Sequence, residues 1–572
     1  METEKLCNVL TQWLLTDPND PEACITITFK FQHPGEDENK PRYFSFNRKQ
    51  DETLAVLLKR IKLNFMKTFL KSNNKQHKSE NNELLDFTFQ FYFDGKLIED
   101  LNSFQNKDFW IEGSKFQINN QIYDVHLNWP KITNLKFPKK IFSGFLIFPH
   151  IDMVNGHIEK SKFTWFRKNP IAEESTEWIK IAEGFAYEVS NEDLNCRLKV
   201  RCKPSDGEHF GLSEEVESDI VIKGPTECPF ELRQQSKIND PHRFRVVSYN
   251  ILADIYANTA HSMENIFPYC KPEFISFDYR KLLILKELLG YNANLILLQE
   301  VDKNFMEKGI GPIMSEKGYG SRFHCKPQMV EGLATFYDET CFELLSCDSK
   351  SFSDVLLKHK SFRKLLKKIS ENQLLFERIT KLKNCFQILV LNTKNKQDGR
   401  TKSLITVNLH LYSKDDADHI RLIQTYICFK YVEILLKDLR FQFDFDELVS
   451  FIICGDFNST PEWGVLRLAF EQRVDTTYED FKINELEQIF DFTLSHTLML
   501  RSACGFPDYT NYTSNFIGCL DYIFYDTYCL EVHEVIPNPP HCDIVKETAL
   551  PNEKIPSDHL PLICTLEWKS FM

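Results

Sequence analysis

The sequence predicts an α/β domain over residues 242–572, preceded by two smaller β-rich units at 1–125 and 126–225. Three observations predict it. Beyond residue 242, wholly apolar runs of strand length alternate with helical patterns, as in domains whose sheets are covered on both faces. Before residue 125, apolar and polar residues alternate at period two around one helical stretch. Between 126 and 225, short alternating segments are separated by turn residues.

In the first unit, Ile25-Thr26-Ile27-Thr28-Phe29-Lys30-Phe31 and Phe87-Thr88-Phe89-Gln90-Phe91 each put their apolar residues on one face. Residues 54–69 carry helical spacing, giving a small α+β unit. The stretch 72–83, SNNKQHKSENNE, is polar and of low complexity, and is expected to be a disordered loop. In the second unit, strands are expected at Phe163-Thr164-Trp165-Phe166, Ala186-Tyr187-Glu188-Val189 and Leu198-Lys199-Val200-Arg201-Cys202, with a turn at Ser205-Asp206-Gly207. Such spacing predicts a sandwich of immunoglobulin-like character, with its Trp and Cys packed in the core. Residues 223–241, rich in Pro and polar residues, read as a linker. In the third unit, 244–249, 294–298 and 451–454 are strands. Asp278 caps a helix whose Leu282, Leu285 and Leu289 share a face and which stops at Gly290.

The 572 residues are 42% hydrophobic and 13% aromatic, ample for several cores. No run is long and apolar enough to span a bilayer, so no membrane partner is expected. A net charge of −13 and a pI of about 5.7 disfavour a protein that coats nucleic acid through a basic face. They leave room for one that grips a few nucleotides in a local pocket. Seventeen cysteines without a C-x-x-C signal neither a zinc ribbon nor a disulfide framework, and mostly buried thiols are expected.

Polar and acidic residues recur where the apolar strands of the third unit end. Ser248-Tyr249-Asn250 ends on an amide, Leu297-Leu298-Gln299-Glu300 on a carboxylate and Val407-Asn408-Leu409-His410 on an imidazole. Cys454-Gly455-Asp456-Phe457-Asn458 puts Asp and Asn on one tight turn. Leu520-Asp521-Tyr522-Ile523-Phe524 and Ser557-Asp558-His559 complete the series. A carboxylate directly after an apolar run is costly to bury unless it is paired or metal-bound. Several such ends converging would form an oxygen-rich site for Mg²⁺.

In this order the motifs resemble the exonuclease–endonuclease–phosphatase superfamily, whose fold is a two-sheet β-sandwich flanked by helices. Ser248-Tyr249-Asn250-Ile251-Leu252-Ala253-Asp254, Glu331-Gly332-Leu333-Ala334-Thr335-Phe336-Tyr337 and Thr510-Asn511-Tyr512-Thr513 look like the poly(A)-nuclease branch of Ccr4 type. Tyr269-Cys270, Gly290-Tyr291-Asn292-Ala293, Arg421-Leu422-Ile423-Gln424 and Gly518-Cys519-Leu520-Asp521 narrow the resemblance to the animal 2′,5′-phosphodiesterases, and Pro204-Ser205-Asp206-Gly207 extends it into the second unit.

The resemblance implies a role for each residue. Glu300 holds Mg²⁺, or Mn²⁺ in its place, with Asp558 completing a second position and Asn250 holding phosphate or a water on the metal. Asp456 and Asn458 orient the attacking water, and His410 donates to the charge building on phosphorus. His559, oriented by Asp521, is the acid or base; either Asp456 or His559 takes the water's proton. Phe516 stands where Ccr4-type nucleases keep an aromatic that stacks on adenine, and Asn511 lies in the same substrate-binding stretch. Two departures stand out. The usual Trp/His-Pro loop after His410-Leu411-Tyr412 is replaced by Ser413-Lys414-Asp415-Asp416, and Leu252 occupies the position of an Asp in base-excision endonucleases. The second departure counts against abasic-site DNA repair, and no double-stranded DNA partner is expected.

The implied reaction is Mg²⁺-dependent release of 5′-AMP from the 3′ end of short 2′,5′-oligoadenylate and of adenylate-rich RNA. A phosphatase of inositol phosphates or a sphingomyelinase is disfavoured, because the Trp-x-Gly-Asp-x-Asn-Tyr-Arg and Pro-Ser-Trp-x-Asp-Arg patterns of the inositol phosphatases are missing. An inactive RNA-binding scaffold is disfavoured by the intact set of Glu300, Asp456, Asn458, Asp521 and His559. The resemblance also implies the mitochondrial matrix, whereas METEKLCNVLTQWLLTD shows no Arg-rich presequence and points to the cytoplasm.

Overall fold

A computed structural model describes residues 8–13, 24–32, 42–73, 87–168, 177–394, 401–442 and 447–570. Of the expected loop at 72–83, residues 72 and 73 close a helix and the remainder lies outside the described residues.

The first unit is a seven-stranded sheet in the order Arg42–Lys49, Cys24–Phe31, Asn8–Trp13, Gln121–Leu127, Lys115–Ile118, Phe89–Phe93, Lys96–Leu97. Asn8–Trp13 runs parallel to Gln121–Leu127 and joins the two halves. The helix Leu54–Asn73 supplies Leu54, Leu57, Ile61 and Phe65, spaced three and four apart, to one buried face. There Phe65 stacks on Phe44 with ring centroids 4.2 Å apart.

In the second unit a four-stranded antiparallel sheet runs Ile179–Glu183, His157–Lys168, Arg197–Ser205, Glu214–Ile220. Among the described residues the rest of this unit forms three two-stranded ladders in place of one second sheet, among them Lys131–Lys136 with His150–Val154. Trp165 and Cys202 are fully buried, and the Trp165 indole donates to the Gly184 carbonyl at 2.9 Å. Its core continues without a break into the third unit, where Phe142 meets Tyr279 edge-on and Lys286 lies over Phe145. The stretch 223–241, with the composition of a linker, is likewise packed. Cys228, Phe230 and Arg233 are buried, and Arg233 donates to the Pro561 carbonyl. Pro and polar residues here mark a turn that is fastened down, not a free tether.

The third unit contains two six-stranded sheets. One runs Tyr319–Cys325, Glu331–Asp338, Leu295–Asp302, Arg243–Asn250, Leu562–Trp568, Leu530–Ile536. The other runs Phe342–Ser351, Cys385–Thr393, Lys402–His410, Leu448–Asp456, Asp521–Asp526, Leu500–Ser502. Alternate residues of the central strands serve different cores. Val246, Leu297, Leu404, Ile452 and Ile523 meet between the sheets. Val247 and Ile296 pack outward with helix Phe277–Gly290, and Val407 and Ile453 pack outward with helix Asp418–Gln442. Both faces are covered, so these strands read as continuous apolar runs. Asp278 does not cap its helix. Ser276 takes that position, while Asp278 sits in the first turn and accepts from Lys281 at 2.7 Å. Among the described residues no cysteine forms a disulfide, and no helix is long and apolar enough to cross a membrane.

Candidate active site

Following the inward-facing residues along each central strand leads to one end of the sandwich. Leu404, Thr406, Asn408 and His410 lie on one face of their strand; Ile452, Cys454 and Asp456 do so on the next. The register pairs His410 with Asp456 and Asp456 with Asp521. In the facing sheet Val246 leads to Asn250, which pairs with Gln299. Below the site the inter-sheet core turns polar, with Gln299 donating to Asn408 at 2.8 Å and Thr335 to Gln387 at 2.6 Å.

Local backbone geometry re-aims the side chains. The pairing of Leu295–Asp302 with Glu331–Asp338 shifts register between Leu298 and Val301, and Glu300 has φ +56° within that irregularity. Such a break lets Gln299 and Glu300 both serve the site end. Leu252 at +56° and Asn458 at +47° are also left-handed, so strained backbone clusters around the site. Gly455 has φ +147°, and a Cβ there would lie 2.0 Å from the Leu409 carbonyl oxygen. Only glycine lets the strands close beneath Asp456.

The side chains converge on the floor of a cavity of about 1070 Å³, lined by Glu300, His410, Asp456, Asn458, Asp558 and His559. Asp456 is their hub. Its Oδ1 accepts from the Asn458 backbone N–H at 2.8 Å, and its Oδ2 accepts from Asn250 Nδ2 at 3.1 Å. The same Oδ2 lies 3.5 Å from His410 Nε2 and 3.7 Å from His559 Nε2. His559 Nδ1 donates to Asp521 Oδ2 at 2.8 Å, with Asp521 buried behind it and away from the cavity surface. Asn511 also lines the cavity and donates to Asp558 at 3.3 Å, while Asn458 Nδ2 donates to the Leu411 carbonyl.

Asn250 sits between the two buried carboxylates. Its Nδ2 donates to both Glu300 Oε1 and Asp456 Oδ2, and its Oδ1 accepts from the Leu252 N–H. Its Nδ2 is used in bracing the two carboxylates, while Oδ1 keeps a second lone pair beside the Leu252 N–H bond. The Ser413-Lys414-Asp415-Asp416 loop is held by Arg421, which donates to the carbonyls of Tyr412 and Lys414, and by Arg378 on Asp416.

Three contributors belong to none of the sequence motifs. Arg280, completely buried, donates to the carbonyls of Ile251, Leu252 and Pro556, tying together the chain beyond Asn250 and the approach to Ser557-Asp558-His559. Its helix also carries Asp278, Lys281, Lys286 and Glu287, so nothing in the sequence singles Arg280 out. Lys326 pairs with Glu331 at 2.7 Å and donates to His410 Nδ1 at 3.4 Å, which leaves the His410 proton on Nε2, facing the cavity. Tyr256 donates to the same Glu331 carboxylate. Lys326 and Glu331 meet across a hairpin, a contact that pairing alone creates.

The electrostatics follow from this crowding. Burial, then Glu331 and Asp558, push Glu300 up to about 7. Burial, then Asp521, push Asp456 up to about 6. Burial and then Lys326 hold His410 well below its ordinary value. For His559 burial works in the same downward direction, but Asp521 and Asp456 outweigh it and hold the ring well above the usual range. Glu300 and Asp558 are thus acids crowded together, and the adjacent ammonium of Lys326 is already paired. Oxygen donors in this arrangement fit a hard divalent cation. Ligand-type atoms of Asp456, Asp521 and His559 also lie within 4.8 Å of one another. There, however, Asp521 Oδ2 and His559 Nδ1 satisfy each other, so the Glu300 side is the better place for an ion.

Residues 129–223 match the N-terminal domain of 2′,5′-phosphodiesterase 12-like proteins, and residues 408–559 match the endonuclease/exonuclease/phosphatase family. The 2′,5′-phosphodiesterase 12 of Rattus norvegicus is 37% identical, the match covering 84% of this chain and 80% of that protein. The Homo sapiens protein of that name is 36% identical with the same coverage. The Ccr4 subunit, named a 3′-5′-exoribonuclease of the CCR4-Not complex, from Saccharomyces cerevisiae is 28% identical over 57% of this chain and 39% of its own length. Among solved structures, ANGEL2, titled a 2′,3′-cyclic phosphatase and held with adenosine-2′,3′-vanadate, is 22% identical. It covers 58% of this chain and 97% of its own, with a TM-score of 0.45.

Proposed function

The chain belongs to the 2′,5′-phosphodiesterase 12 family within the endonuclease/exonuclease/phosphatase superfamily, and from that premise we propose that it removes 5′-AMP from the 3′ end of adenylate chains, both 2′,5′-oligoadenylate and 3′,5′-linked poly(A), with Mg²⁺ as its cofactor. It is a phosphodiesterase of exonuclease type, a hydrolase of ester bonds. The observation that carries the reading is the arrangement of Glu300, Asp456, His410 and His559 on one cavity floor with Phe516 exposed on the wall.

Glu300 and Asp558 hold the cation, which supplies neutralisation of charge on the scissile phosphate. Asn250 keeps the Glu300 and Asp456 carboxylates apart and oriented. His410, with its proton on Nε2, donates to phosphate oxygen. Since Asp521 and Asp456 hold His559 protonated, it serves as a donor, and Asp456 receives the proton of the attacking water. The Phe516 ring stacks on the terminal adenine. Asn511 braces Asp558 beside it. An assay of AMP release from 2′,5′-triadenylate and 3′,5′-triadenylate, with Mg²⁺ and with EDTA, tests the proposal. Inert behaviour toward both linkages in Mg²⁺ would overturn it. The mitochondrial-matrix location is part of the same reading, and localisation of the full chain carrying a C-terminal fluorescent reporter tests it.

A further inference from the structure

The helical insert between strands Phe342–Ser351 and Cys385–Thr393 carries charge opposite to the rest of the chain. Residues 352–384 hold nine Lys and Arg against three Asp and Glu, whereas the whole chain holds 69 against 82. Most of the insert's apolar residues are already used: Leu356, Leu365, Ile369, Leu375 and Ile379 are buried in the outer core of the second sheet, while Leu357 and Leu374 stay exposed. Four cations are paired, Lys358 with Asp354, Lys368 with Glu371, Lys381 with Glu377 and Arg378 with Asp416 and Glu487. Lys360, Arg363, Lys364, Lys367 and Lys383 form no ion pair among the described residues.

Unpaired like charges this dense repel one another, and nothing in the fold requires them. Their position supplies a use. Helices Arg363–Ser370 and Gln373–Lys381 are joined by two residues and pack together as a hairpin. The second helix ends where Lys381 and Lys383 line the catalytic cavity. Arg363, Lys364 and Lys367 thus lie on the helix packed against the one that ends at the cavity.

We propose that this insert is a track for the phosphodiester backbone of the RNA body, leading away from the cavity in which the 3′-terminal nucleotides are held. The inference rests on the adenylate-nuclease reading and adds a length-sensing surface to it. RNA is favoured over an acidic protein because the basic run is continuous with the wall of the cavity where phosphodiesters are cleaved. Binding through such contacts depends on salt, with a slope of roughly 0.7 per phosphate neutralised on a single strand. A dinucleotide ends within the cavity and does not reach Arg363, Lys364 and Lys367, none of which lines it, whereas a twenty-nucleotide chain does.

The test uses the full chain with R363Q/K364Q/K367Q, none of which lines the cavity. AMP release is measured from the 3′,5′-linked adenylate dinucleotide and from a 3′,5′-adenylate 20-mer between 25 and 200 mM KCl. The dinucleotide is expected to be cleaved within about twofold of wild type. For the 20-mer, kcat/KM is expected to fall about tenfold at the lowest salt, with a log–log salt dependence shallower by roughly two. Equal effects on the two lengths, or no effect on the 20-mer, would overturn the track. Wild type inert toward both would count instead against the nuclease reading. Fluorescence anisotropy of a labelled 20-mer would then still decide the track: weaker binding by the variant supports it, and unchanged binding overturns it.

Discussion

Nδ1 of His559 lies 2.8 Å from Oδ2 of Asp521, and the opposite nitrogen of the same ring faces Asp456 across 3.7 Å. One imidazole thus spans an interior carboxylate and the carboxylate at the hub of the cavity floor. The first contact fixes the ring and its charge, and the second aims it. Asp521→Asn keeps the shape and removes the charge that holds His559 protonated. A fall in kcat of at least a hundredfold is expected, with KM nearly unchanged and the pH–rate profile displaced to lower pH. An unaltered profile would tell against the pairing.

Glu300 ties the metal to pH. Its folded-state value of about 7 lies above the ordinary 4.5, so between these values the folded protein binds a proton that the unfolded chain does not. Stability of the metal-free protein therefore falls as pH rises through that window. A divalent cation replaces the proton, so Mg²⁺ is expected to raise the melting temperature at pH 7.5 and to do little at pH 5. The reverse dependence would exclude Glu300 as a ligand. Glu300→Ala should abolish Mg²⁺-dependent AMP release while removing this pH-dependent loss of stability; release within threefold of wild type would sink the assignment.

Lys326 acts through His410 and, separately, through buried Glu331. Lys326→Met leaves the Glu331 carboxylate without its cation, which costs about 3–5 kcal/mol for a buried pair. Adding Glu331→Gln removes the stranded charge and should restore most of the melting temperature. Activity should stay low in the double variant, because the His410 proton is no longer confined to Nε2. Recovery of activity together with stability would show that Lys326 is structural only.

The strand ends are legible in the sequence because each apolar run stops on a residue too costly to bury without a partner. Asp456, His410 and Glu300 fall on strand termini for that reason, and the fold delivers them to one cavity. What is not legible lies in pairings distant in the chain. That Asn250 also braces two carboxylates is one such case, since only the approach of Glu300 and Asp456 engages its Nδ2. The Lys326–Glu331 contact arises from hairpin register, and the role of Arg280 from the convergence of two distant segments on one guanidinium. Residues 223–241 have the composition of a linker yet are packed, for a related reason: Phe230 and Arg233 find their pocket only once the third unit folds against them.

Phe516 separates base reading from packing. The ring is 42% exposed in a chain where most Phe residues are interior, and it borders the cavity. Its backbone is fixed by a tight turn in which Thr513 N–H donates to the Phe516 carbonyl at 2.8 Å and Phe516 N–H donates to Thr513 Oγ1 at 3.0 Å. Beneath it Gly518 leaves room that a Cβ would take, since one there would lie 2.8 Å from Phe516 Cζ. A held but uncovered ring of this kind has a free face for a base. Phe516→Ala should therefore lose about 1–3 kcal/mol of substrate binding, chiefly as KM. The loss should be similar for 2′,5′- and 3′,5′-linked triadenylate, because stacking senses the base and not the linkage. Truncating a buried Phe would instead cost about 3–5 kcal/mol of stability. The exposure of this ring predicts a nearly constant melting temperature and a reduced preference for adenylate over uridylate. A strongly lowered melting temperature with unchanged base preference would assign Phe516 to packing.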